Sequence, residues 1–196
     1  MIEIQDLKVK MKDLEFIFED FRFERNKITV ITGRNGAGKT TLLRVFASFL
    51  DYEGSLKLNA EVTYNSQEPV IFNRTAYDNI CYPLKVRKLD ISLYHDKIME
   101  YSKLLDIEHL LENNALKLSS GEKMKVSIIR SIIFDPDIVL LDEPTTHLDL
   151  ESITELTNLI IKLKNKITFI IVSHNKAFVE DLVEVEYKVG GKNVLS

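Results

Sequence analysis

Gly33-Arg34-Asn35-Gly36-Ala37-Gly38-Lys39-Thr40-Thr41 satisfies the pattern Gly-x-x-x-x-Gly-Lys-Ser/Thr at every fixed position. The flanking residues supply the right context. Lys27-Ile28-Thr29-Val30-Ile31-Thr32 is a short apolar, β-branched run suited to a buried strand, and Thr41 to Ala47 has helical spacing. A strand, a glycine loop and a helix in that order hold a polyphosphate for a physical reason. Glycine lets the backbone bend and approach, and the helix N-terminus adds free N–H groups and the positive end of its dipole. Gly33, Gly36 and Gly38 are the expected bend points, with backbone amides from Asn35 to Thr41 around the phosphates. Lys39 is expected to reach the β- and γ-phosphates, and the Thr40 hydroxyl to ligate Mg2+. An ordinary glycine turn before a helix needs neither the lysine nor this spacing.

The 196 residues fit one domain, with or without an insertion, and 45% hydrophobic content is enough for a core. A net charge of -4 without a dominant basic stripe argues against a nucleic-acid partner. Met1 to Lys10 alternates apolar and charged residues instead of forming a signal-type block. No run approaches the roughly 18 apolar residues of a membrane span, so a soluble, cytosolic chain is expected. The single Cys81 cannot form an internal disulfide and reads as a buried structural thiol in a reducing compartment.

Along the chain, Ile2, Ile4, Leu7, Val9 and Met11 alternate with polar residues, which predicts an edge strand. Leu14 to Phe23 adds an aromatic-rich alternation, and the two read as antiparallel strands. Arg25-Asn26-Lys27 is the turn into the central strand, with Asn26 suited to a left-handed conformation. Leu56-Lys57-Leu58 and Glu61-Val62-Thr63-Tyr64 are further extended pieces, the second ending just before Asn65-Ser66-Gln67-Glu68-Pro69. From Val70 to Leu118 helical spacing takes over, with Leu93, Ile98, Tyr101, Leu104 and Leu105 marking one amphipathic helix capped by Asp90 or Ser92.

This stretch is expected to be a helical insertion. Leu118-Ser119-Ser120-Gly121-Glu122 opens a helix to about Phe134, and Ile138 to Glu143 is a buried strand ending in two carboxylates. A helix over Glu151–Lys164 and a buried strand over Ile167–Val172 follow, with Ser173-His174 at the strand's end. Alternating strands and helices predict a parallel α/β core, and Val183 to Leu195 reads as a helix-to-hairpin tail around Gly190-Gly191.

The run ending in Asp142-Glu143 is the second signal. Beside a phosphate loop, an Asp at a neighbouring strand end holds the Mg2+ hydration shell, and a following Glu can orient the attacking water. A strand-end imidazole such as His174 can donate a hydrogen bond that orients Glu143. His95, His109 and His147 show no metal-ligand spacing and read as surface or interface residues.

With Leu118-Ser119-Ser120-Gly121-Glu122 placed some 20 residues before Asp142-Glu143-Pro144, the chain resembles the ABC ATPases over nearly its whole length. The phosphate loop, Gln67 after a strand, the signature, Asp142-Glu143, Thr146-His147-Leu148-Asp149 and His174 stand in that family's order. The resemblance implies an α/β P-loop core with a parallel sheet, an antiparallel β part and an inserted helical subdomain. Residues 1–69 and 119–196 would form the catalytic core and 70–118 the insertion, within a single ABC ATPase domain.

By the same resemblance the cofactors are ATP and Mg2+, and Gln67 touches Mg2+ and the attacking water while relaying contact with a partner. Ser119 and Gly121 bind the γ-phosphate held by an opposite subunit, Asp149 lies in a loop crossing the dimer interface, and His174 is the switch histidine. Two signature positions depart from the family pattern: Ser120 replaces a glycine and Glu122 a glutamine. The family places an aromatic residue on the second strand to stack on adenine. Here the aligned position is Met11, with Phe16 the nearest aromatic, and the phenylalanines of this region read as core.

Two functions from different classes follow. One is the ATP-driving subunit of a membrane transporter, working as a homodimer or as a heterodimer with a related ATPase. It would sandwich two ATP and meet an integral membrane permease near Gln67 and the helical subdomain. The other is a soluble ABC ATPase acting on nucleic acid, the ribosome or an assembly scaffold. Gln67 to Ile80 with Pro83-Leu84-Lys85 looks like the importer version of this region, above all that of tungstate and similar oxyanion importers. The transporter is therefore the favoured expectation, with the chain at the inner face of the cell membrane through its permease.

Overall fold

The computed structural model describes residues 2–12, 14–190 and 192–194. Two sheets organise them. The parallel sheet contains β4 (Ile28–Thr32), β6 (Val62–Asn65), β7 (Ile138–Asp142), β8 (Thr168–Val172) and β9 (Val185–Lys188), in the spatial order β6-β7-β8-β4-β9. β7 and β8 are buried at every residue, as their unbroken apolar sequences require for strands covered on both faces.

The second sheet is antiparallel and built on β1 (Ile2–Met11). Its other strands are β2 (Leu14–Ile17), β3 (Phe21–Phe23), β5 (Glu53–Leu58) and β10 (Lys192–Val194). Helix α1 (Lys39–Phe46) packs between the sheets through Leu42, Leu43, Val45 and Phe46, in a cluster with Ile138, Leu140, Ile170 and Val172. The alternate residues Val139, Leu141, Phe169 and Ile171 face the other way. There they form the second core with α2 (Ala76–Val86), α3 (His95–Leu104), α4 (Ser120–Ile132), α5 (Leu150–Leu163) and α6 (Lys176–Leu182). Period-two alternation on fully buried strands thus divides one sheet between two cores.

Several expectations need correction. β1 is interior rather than an edge, because β2 and β3 pair with its two halves on one side while β5 pairs on the other. Alternation along one strand reports which face is buried, not how many neighbours it has. The aromatic run Leu14–Phe23 breaks into two strands. Leu93 is not on the buried face of a helix. It sits 80% exposed in a 3-10 turn, Ile91–Tyr94, capped by Asp90, and α3 starts only at His95.

Helix α2 lies within the stretch expected to be helical, although only the later amphipathic helix was singled out there. Pro83 lies inside it and obscures the periodicity, while Thr75 caps it by accepting from the Asp78 amide. The tail is not a hairpin: β9 runs parallel to β4 in one sheet, and β10 runs antiparallel to β2 in the other. Met1, Gly191 and Leu195 of those expectations lie outside the described residues. Asn26 does take a left-handed φ of 54°, and Cys81 is fully buried and free.

Candidate active site

The phosphate loop joins β4 to α1 with all three glycines at positive φ: Gly33 at 145°, Gly36 at 74° and Gly38 at 104°. Two of them are also required by space. A Cβ on Gly33 would stand 2.7 Å from the Val189 carbonyl oxygen, and one on Gly38 would stand 2.6 Å from the Phe16 ring. Gly38 is the N-cap of α1 and offers no side-chain hydrogen bond, whereas Ser119, Asp149 and Asn175 cap α4, α5 and α6 through their side chains. The first amides of α1 are therefore left for a ligand, the condition under which a helix N-terminus binds phosphate.

Lys39 is 7% exposed. Its ammonium donates to the carbonyl oxygens of Gly33 at 2.9 Å and Arg34 at 3.1 Å, so it lies folded over the loop. Thr40 Oγ1 donates to Asp142 Oδ1 at 3.0 Å. The other carboxylate oxygen, Oδ2, accepts from the Tyr64 hydroxyl at 2.9 Å. Asp142 is only 3% exposed, and both of these partners are neutral hydroxyls. A buried carboxylate so placed calls for a cation. Burial, followed by the charge of Asp142, pushes the Tyr64 phenol up to about 12, against an opposing pull from Arg44. Tyr64 therefore stays a donor throughout the neutral range.

Glu143 has φ 50°, a left-handed conformation that costs a non-glycine residue about 1–3 kcal/mol. Its amide donates to Val172 O at 2.8 Å, which fixes the turn. Its carboxylate accepts from the His174 amide at 3.0 Å, and His174 Nε2 stands 3.3 Å from Glu143 Oε1. The strained turn swings the Glu143 carboxylate toward β8's end, where His174 holds it.

One cavity is lined by Asn35, Gly36, Gly38, Lys39, Thr40 and Thr41 together with Gln67, Glu143 and His174. Asp142 meets this group through Thr40. Ser119 and Gly121 do not reach it. They line a different cavity with His147 and Asp149. There Ser119 and Glu122 form a reciprocal cap: the Ser119 amide donates to Glu122 Oε2 at 2.8 Å, and the Glu122 amide to Ser119 Oγ at 3.3 Å. A Cβ on Gly121 would stand 2.8 Å from the His147 carbonyl oxygen, so the signature turn packs directly on the Thr146–Asp149 loop.

One residue of the first cavity, Phe16, carried another reading in the sequence. Phe16 belongs to the core, at 7% exposed, yet its ring also lines the cavity beside Gly38. Met11 instead ends β1 opposite Leu14, 38% exposed and away from the cavity lining. Tyr64 carried no functional reading, because its contact with Asp142 spans 78 positions and exists only through the pairing of β6 with β7. His95, His109 and His147 are exposed, and among the described residues no three His, Cys, Asp or Glu are grouped to share a metal ion. No described helix is long and apolar enough to cross a membrane.

The family model described as "ABC transporter" matches residues 19–146. A tungstate uptake system ATP-binding protein from Peptoclostridium acidaminophilum is 35% identical over 168 residues, covering 80% of this chain and 78% of that one. A molybdate/tungstate import ATP-binding protein from Pyrococcus abyssi is 33% identical across 78% of this chain, which spans only 48% of that relative. A solved dimeric ATP-binding cassette in a post-hydrolysis state, bound to ADP and Pi, superposes with a TM-score of 0.85 at 19% identity. That match covers all of this chain and 99% of the other, and at this identity it shows the fold. The loop, the strand-end carboxylates and these matches agree: the chain belongs to the ABC transporter family and is an ATP-binding ATPase of it.

Proposed function

We propose that the chain drives a membrane importer by hydrolysing ATP as one of two facing copies, or beside a related ATPase, with two ATP sandwiched between them. The observation that carries this reading is the meeting of Gln67, Glu143 and His174 with the phosphate loop in one cavity, while Ser119 and Gly121 lie in another. A single chain then holds two half-sites. The half carrying Lys39 binds the triphosphate, and Ser119 and Gly121 of the second chain close on its γ-phosphate.

In this reading Lys39 leaves the Gly33 and Arg34 carbonyls for the β- and γ-phosphates, exchanging neutral acceptors for charged ones. Amides from Asn35 to Thr41, around Gly36 and Gly38, hold the remaining oxygens. Glu143, oriented by His174, accepts a proton from the attacking water, and Gln67 faces that water across the cavity. Thr40, Gln67 and Asp142 fit Mg2+: a hydroxyl, an amide and one buried carboxylate are the oxygen donors that ion takes alongside substrate phosphates and water. Held there, Mg2+ would supply positive charge against the triphosphate.

Residues 70–118 form the helical subdomain in this reading, between the catalytic pieces 1–69 and 119–196. A groove lined by Phe49, Phe72, Tyr82, Pro83 and Phe134, beside the exposed Val70 and Val86, supports docking of the permease near Gln67. The docked subunit keeps the ATPase at the inner face of the membrane. The relatives' names support tungstate or a related oxyanion as cargo, selected by the permease and its binding protein.

Co-expression with the membrane subunit of a tungstate import system tests the reading. The chain should co-purify from detergent-solubilised membranes, and the reconstituted pair should take up tungstate only with ATP. Recovery with ribosomes or a soluble scaffold, and none with membranes, overturns the importer.

A further inference from the structure

Each oxygen of the Asp142 carboxylate has its own hydroxyl donor, Thr40 on Oδ1 and Tyr64 on Oδ2. Thr40 comes from the phosphate loop. Tyr64 comes from β6, a separate strand that runs directly into Gln67. We propose that Tyr64 is a positioning residue for the Asp142 carboxylate, holding it in the orientation in which it would meet Mg2+ and tying that orientation to the strand leading to Gln67. The inference rests on the proposed Mg2+ site and adds to it a residue that touches neither metal nor nucleotide.

Three observations carry it. The Thr40 contact holds one carboxylate oxygen only, and the Tyr64 hydroxyl holds the other. Groups that hydrogen-bond a ligating carboxylate set its orientation, and losing one typically costs about 10- to 100-fold in metal affinity or activity.

Second, β6 is a rigid mount. It pairs in parallel with β7, with Tyr64 opposite Leu140 and Asn65 opposite Leu141. On the far face of β6, buried Asn65 accepts from the Ser127 hydroxyl, and its amide nitrogen stands 3.3 Å from Met124 Sδ, both on α4. Third, the ring of Tyr64 is only partly buried and meets Phe49, itself 65% exposed, at 5.8 Å between centroids. The ring lines the groove beside Phe49 and is a minor part of the core, and its hydroxyl, which Arg44 also approaches, makes the contact to Asp142.

The test titrates Mg2+ into the purified chain with a fluorescent, non-hydrolysable ATP analogue, for the unmodified protein and for Tyr64→Phe, Asp142→Asn and Phe49→Leu. Tyr64→Phe should raise the half-saturating Mg2+ about 10-fold. It should leave analogue affinity in EDTA unchanged, because no phosphate contact is lost. Phe49→Leu, which alters the packing on the ring but not the hydroxyl, should leave the Mg2+ requirement unchanged. An unchanged Mg2+ requirement in Tyr64→Phe while Asp142→Asn raises it overturns the inference alone. An unchanged requirement in Asp142→Asn overturns the metal site and the inference together. Should Tyr64→Phe not fold, hydrogen exchange on the unmodified chain decides: protection of Val62–Asn65 in the analogue complex should rise when Mg2+ is added, and identical protection overturns the inference.

Discussion

The phosphate-loop half and the signature half of this chain are organised in opposite ways. Around the loop, contacts reach across the sequence: Thr40 to Asp142 is 102 positions apart, Tyr64 to Asp142 is 78, and the His174 amide to Glu143 is 31. In the signature half the Ser119–Glu122 and Asp149–Ser152 caps each span three positions. The first half brings its charged groups to one cavity by tertiary structure. The second half is two locally capped helix starts that line a cavity of their own. A lone chain thus brings the phosphate-loop groups together by itself, whereas in the proposed two-chain site the signature waits for a ligand carried by another chain.

The largest effect that sharpens this contrast is on turnover. Glu143→Gln keeps the side-chain shape and its hydrogen bond from the His174 amide but removes the base, so kcat should fall about 10²- to 10⁴-fold with ATP binding retained. Sedimentation with ATP should show the variant held as a dimer. Turnover near that of the unmodified chain would place the base elsewhere.

Lys39→Ala should come next. Removing the cation opposite the β- and γ-phosphates should weaken ATP by about 2–5 kcal/mol, read by titration with a fluorescent nucleotide. Unchanged affinity would break the assignment of binding to the loop half.

Mixing asks whether the halves are shared between chains. Lys39→Ala and Ser119→Arg proteins should each be inactive, and equal amounts combined should recover roughly a quarter of the unmodified rate. Half of randomly paired dimers are mixed, and each mixed dimer has one intact site out of two. A dimer in sedimentation with no recovered activity means that both sites must act together. A monomer at every ratio with ATP removes the two-chain site.

The smallest effect concerns the base. With Met11 away from the cavity, the phosphate loop lines it with six residues, while the Phe16 ring lies against Gly38 as the one phenyl group there. Competition binding should show ATP and GTP within about 10-fold of each other, equivalent to about 1.4 kcal/mol. A much stronger preference for ATP would mean that Phe16 packs on adenine, and Phe16→Leu should then reduce it.

Local chemistry determined much of this molecule. The buried strands β4, β7 and β8 were readable from β-branched runs that stay apolar on both faces, and the loop from a pattern in which each fixed residue has its own task. Asp142, Glu143 and His174 were legible as strand-end residues, since the strands before them announce where they stop. Tertiary structure decided the rest, because strand pairing and approach across the chain leave no mark in local periodicity. Identical alternation makes β1 interior or edge according to which strands arrive beside it, and β9 and β10 part to different sheets within a few residues. Likewise Phe16 is at once core and cavity lining only because α1 begins against its ring. Tyr64 meets Asp142 only because β6 and β7 lie in parallel register.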